Sequence, residues 1–225
     1  MKSITLLLSI GLTGMHVFSY ANSPASPLNT HTGYVNLGPG CHVRGAMPFD
    51  GTMGGSYRAQ SGENGGGFSI GKFPKKYGAT ELQVNMQCYN SADLHFPKGL
   101  NVRFDSTKKI WVKDFSERSY ADDAESYKKL DKASRVYNIQ AKNSNGYVYT
   151  EDDLIGEEWQ RDRNMHFCLL RPPKALCGDA PVMRLNDPKS NVLPYVLQIL
   201  RSIEFIDDAP PEQPSAVPDA RVQGQ

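Results

Sequence analysis

The chain has 225 residues, with 25 Lys and Arg against 24 Asp and Glu and a formal net charge of +1. That balance excludes a chain-wide basic surface of the kind that holds nucleic acid or anionic lipid, whose affinity comes from clustered cations. A hydrophobic fraction of 39% is ordinary for a globular domain with length enough for one real core, and no internal repeat is visible.

Residues 1–21 carry Lys2, an apolar run from Ile4 to Leu12, and Ser19-Tyr20-Ala21. A charged start, an apolar centre and a small-residue end make an export signal cut after Ala21. The run is too short to span about 30 Å of hydrocarbon, and no cysteine stands at the cut for lipid attachment. With Lys2 removed, basic and acidic residues balance, and the expected location is periplasmic or secreted with no membrane anchor. Residues 22–40, dotted with Pro24, Pro27 and Pro39, are expected to be a flexible lead-in. One disulfide-stabilised domain is expected over 41–206, and residues 207–225, with Pro210, Pro211, Pro214 and Pro218, a disordered tail.

Cys41, Cys88, Cys168 and Cys177 form an even set in an exported chain, which favours two disulfides. From Asp50 to Gly67 seven glycines fall within eighteen residues, a loop composition. Leu82 to Tyr89 alternates as a strand, and Leu100–Phe104 and Ile110–Lys113 predict two more. Tyr120 to Ala133 reads as an exposed helix, with Tyr127 and Leu130 three apart and Glu125 four before Lys129.

Arg135 to Ala141 alternates, with Tyr137, Ile139 and Ala141 on one face and Asn138 and Gln140 on the other. Asn145-Gly146 then predicts a tight hairpin turn through its tolerance of positive φ, and Tyr147–Thr150 returns as the partner strand. A second hairpin pairs Met165–Leu170 with Lys174–Gly178 around Pro172-Pro173. Counting outward from those prolines sets Cys168 opposite Cys177, within disulfide reach, and leaves Cys41 for Cys88. A proline pair suits a type I turn poorly, so a cis Pro173 in a type VI turn is the alternative. Leu193, Val196, Leu197 and Leu200 make one apolar helical stripe, with Ser190 or Asn191 as cap and Pro194 in the first turn. Ser202–Ile206 returns to alternation, with Ile203 and Phe205 inward. A helix feeding a strand after an antiparallel run predicts an α+β fold, an antiparallel sheet with hairpins packed against one or two helices.

Gly67-Phe68-Ser69-Ile70-Gly71 matches the GxSxG nucleophile elbow, which needs a strand ending at the serine and a helix after it. Pro74 and Gly78 break any following helix, so a serine hydrolase using Ser69 with His95 or His166 is the weaker reading. The histidines show no spacing for a metal or acid–base pair, the cysteines no zinc pattern, and no metal or cofactor is expected. Glu151, Asp152, Asp153, Glu157 and Glu158 form an acidic link beside Trp159 and lack the ligand order of a calcium loop. With the two hairpin tips they are the candidate interface, since acidic groups steer a basic partner and aromatics anchor interfaces. A ligand-binding or structural envelope protein using the glycine-rich loop is a third reading.

The order of Asn-Gly hairpin, acidic link DDLIGEEWQRDR, Cys–Cys-Gly hairpin and the ending PYVLQILRSIEF resembles small exported bacterial proteins with a PsbP-like α/β/α sandwich. That group includes periplasmic immunity proteins of type VI secretion effectors. The resemblance spans the last third of the chain and implies a sandwich fold and a protein partner, a toxin or effector. It supplies no active-site residue.

Overall fold

A computed structural model describes residues 29–74, 81–92, 101–116 and 123–207. The expected export signal, His95 and the tail beyond Asp207 lie outside these residues. Chain order is β1 (Thr30–Asn36), β2 (His42–Pro48), β3 (Thr52–Arg58), β4 (Glu63–Ile70), β5 (Leu82–Asn90), β6 (Val102–Asp105) and β7 (Ile110–Lys113). Then follow α1 (Ala124–Ala133), β8 (Ser134–Gln140), β9 (Asn145–Asp152), β10 (Asp162–Arg171), β11 (Lys174–Arg184), α2 (Leu193–Ser202) and β12 (Glu204–Ile206). The architecture is sheet-rich α+β, as expected.

Seven strands form the main antiparallel sheet in the order β3-β4-β5-β11-β10-β9-β8. The chain builds one edge as a β3–β4–β5 meander, leaves through β6, β7 and α1, and re-enters at the opposite edge. It then meanders inward until β11 meets β5, Cys177 opposite Gln87. β1, β2 and β12 make a three-stranded sheet whose apolar side chains join α2 and one face of the main sheet in a single core. Val43, Val84, Val148, Leu169, Val196 and Leu200 are fully buried there.

The opposite face is covered too, at the β8–β9–β10 end. Trp111 of β7, Phe115 and Leu130 of α1 pack with Tyr147, Tyr149 and Cys168, and the Trp111 and Tyr147 rings lie 4.7 Å apart. Val148, Phe167 and Leu169 thus face one core while their neighbours Tyr147, Tyr149 and Cys168 face the other, as strand alternation requires. Both disulfides expected from the sequence form, Cys168–Cys177 across β10 and β11 with Cα atoms 4.0 Å apart, and Cys41–Cys88. The Pro172–Pro173 bond in the β10–β11 turn is cis.

α1 is capped by Asp123, whose carboxylate accepts from the Glu125 and Ser126 amides at 3.1 Å, and Lys129 pairs with Glu125 at 2.7 Å. At α2 the Asn191 side chain accepts the Leu193 amide at 3.1 Å. Ser190 instead closes the preceding turn, accepting from the Arg184 amide at 2.8 Å.

Three expectations need correcting. Residues 30–40 are not a flexible lead-in: they form β1 and its turn, and Val35 and Leu37 are buried. The glycine-rich stretch is not a loop but the β3–β4 hairpin at the sheet edge. Its glycines admit close packing, for a Cβ on Gly55 would stand 2.6 Å from Val35 Cγ2 and 2.8 Å from Gly66 Cα. Finally, Asn145-Gly146 is not the turn. Residues 141–144 make it, closed by Ala141 N–H to Ser144 O at 2.9 Å, and Gly146 pairs within the sheet opposite Ile139 and Leu169.

Candidate interaction surface

The link between β9 and β10 is where the sequence-predicted residues come together. β9 ends in Glu151 and Asp152, β10 starts at Asp162, and the connection projects from the second and third positions of the main sheet counted from its β8 edge. Residues 154–160 are all exposed. Glu158–Gln160 close a single 3-10 turn, with Gln160 N–H donating to Glu157 O at 2.9 Å. Gly156 has φ +95°, a left-handed conformation that favours glycine.

Both feet of the loop are braced by acidic residues that the sequence offers as contacts for a partner. Asp152 takes a two-pronged bond from Arg163, Nε at 2.5 Å and Nη2 at 2.8 Å, and this carboxylate holds the guanidinium above its ordinary pKa. Asp153 accepts from the Asp162 amide and the Asn164 side chain, both at 2.9 Å. Glu151 turns inward, accepting from Tyr149 Oη at 2.5 Å and Asn101 Nδ2 at 3.0 Å. Further out, Arg184 Nη1 donates to Trp159 O at 3.3 Å and the Leu185 amide to Arg161 O at 2.9 Å. Charge-assisted and bidentate bonds of this kind fix geometry as well as adding energy.

Of the expected interface set, then, Glu151, Asp152 and Asp153 are structural braces, while Glu157, Glu158 and Trp159 are presented to solvent. Two residues between them, Leu154 and Ile155, are absent from that expected set. Leu154 is 47% exposed, Ile155 87% and Trp159 59%, so three large apolar side chains stand out within six residues. Leu-Ile-Gly in the middle of a charged link, outside the alternation of either strand, was the available signal. One expected hairpin tip is not free, because Lys142 N–H donates to Ile203 O and the Asn143 amide exchanges two hydrogen bonds with Phe205, at 2.7 and 2.9 Å.

Ser69 does not form a nucleophile elbow. It lies inside β4, opposite Thr52 and Gln83, with its Oγ 3.1 Å from Thr52 Oγ1, and residues 71–74 directly after the strand are not helical. A cleft of about 850 Å³ passes Ser69, Gln83, Asn85, Asp162, Arg184 and Val192, and no described histidine lines it. His31 Nε2 is 2.7 Å from Gly51 O, and His166 sits in β10 opposite Tyr149 and Asp179. Among the described residues no group of His, Cys, Asp or Glu is arranged to hold a metal ion, and no helix is long and apolar enough to cross a membrane. No protein-family model, curated protein or solved structure matches the chain.

Proposed function

We propose that this is an exported protein-binding module whose docking element is the braced 154–159 loop, and that it works as an inhibitor, of the kind an immunity protein makes of its toxin. The observation that carries this reading is the exposure of Leu154, Ile155 and Trp159 on a loop fixed at both feet. Covering such side chains returns about 1.5–3 kcal/mol each, and a loop already held in place loses little entropy on docking. Blocking a partner needs only a rigid complementary surface of about 800 Å². The two disulfides and the apolar start of the chain support a periplasmic or secreted setting. The resemblance of the ending PYVLQILRSIEF to PsbP-like exported proteins favours an immunity protein among inhibitors.

Co-purification from the native host with affinity-tagged protein tests the reading. A discrete partner is expected with the wild type and should be lost with Ile155→Asp combined with Trp159→Ala, at an unchanged melting temperature. A partner retained equally by both proteins contradicts the assignment of the loop.

A further inference from the structure

Exposed apolar side chains alone fit many surfaces; the charges beside them narrow the choice. The link's inner carboxylates are saturated, Asp152 by Arg163, Asp153 by Asn164 and the Asp162 amide, and Glu151 by Tyr149 and Asn101. Glu157 and Glu158 are exposed, and neither carboxylate has a hydrogen bond or ion pair among the described residues. Of the neighbouring cations, Arg163 is held by Asp152, and Arg184 by Trp159 O and, at 3.7 Å, by Asp162, while Arg161 is half-buried and pairs with neither glutamate. The projecting loop therefore presents an apolar tip with two free negative charges at its side.

We infer that the loop docks into an apolar pocket rimmed by lysine or arginine on a different protein, an inference that rests on the reading of 154–159 as the docking element. An acidic or wholly apolar rim would strip water from Glu157 and Glu158 and return nothing, which opposes binding strongly. A cationic rim replaces that water with charge-assisted bonds and speeds encounter. A second copy of this chain is the competing occupant. One apolar hollow on it, about 520 Å³ between the β6–β7 hairpin and β8, is lined by Phe104, Ile110 and Trp111 and by a single cation, Lys109. One lysine leaves one of the two carboxylates without a counter-charge.

The test uses the exported protein with both disulfides intact. A displayed random-peptide library is panned against it, and enriched peptides are synthesised and titrated through Trp159 fluorescence. Enriched sequences should combine large apolar residues with lysine or arginine. They should bind the wild type about tenfold more tightly than Glu157→Lys/Glu158→Lys, and lose binding to Ile155→Ser. Peptides that need Ile155 yet bind the charge-reversed protein equally well overturn the cationic rim and leave the docking loop standing. Peptides indifferent to Ile155, or no enrichment, overturn both. Sedimentation velocity on wild type and Ile155→Ser completes the test: a monomer in each is expected, and an Ile155-dependent dimer overturns the inference in favour of a second copy.

Discussion

Gly146 shows how a residue's role is set by what passes over it. A methyl group added there would collide with the Cys168 carbonyl of the neighbouring strand, so Gly146→Ala should destabilise the fold by about 1–3 kcal/mol, read as a lower midpoint in urea unfolding with unchanged slope. The Asn-Gly pair advertises a turn because turn rules are local, whereas the demand for glycine here comes from β10, more than twenty residues downstream. Tyr147 and Tyr149 carry a similar non-local signature. Burial raises the pKa of both above the ordinary 10.0, and in Tyr149 the bond to Glu151 adds to it. A raised folded pKa gives stability that is complete below pH 10 and is lost as pH rises beyond it. The expected observation is a stability that falls above about pH 10, with the tyrosinate absorbance of these two rings appearing only as the protein unfolds.

Elements differ in how much of themselves the sequence displays. α2 is legible because one stripe of Leu193, Val196, Leu197 and Leu200 meets one core, and the β10–β11 hairpin is legible because two cysteines fix its register. β9 is less so, since five consecutive residues from Gly146 to Thr150 are buried and period 2 disappears where both sheet faces are covered. β3 and β4 hide behind their glycines, whose value lies in letting β1 pack against the hairpin. The acidic link misleads for another reason: composition cannot say which carboxylates find partners inside. At α1 the Asp123 carboxyl is held below its ordinary pKa of 3.8, first by the Ser126 hydroxyl and then by the amides of Glu125 and Ser126. A depressed folded pKa contributes stability above the ordinary value that is lost as pH falls through the folded one. Asp123→Ala should therefore lower the melting temperature at pH 7, and the two melting curves should converge as pH drops below 3.8.

Across the whole molecule, two meanders meet at β5 and β11; one cover closes one face, and a second covers the other at its β8–β9–β10 end. Cys41–Cys88 joins the β1–β2 turn to β5 over 47 residues, whereas Cys168–Cys177 closes a hairpin over 9. Loop-closure entropy grows with length, so replacing the first pair by alanine should cost about 1.5 kcal/mol more than replacing the second, measurable by parallel denaturant unfolding of the two double variants. This cross-linked body leaves the 154–159 loop as a fixed projection, and site-specific photocrosslinking in the native host tests its purpose most directly. A photoreactive residue at Ile155 should yield one discrete protein adduct, while the same residue at Tyr34, which is 57% exposed on β1, should not. Equal adducts from both positions, or none from Ile155, would contradict the account.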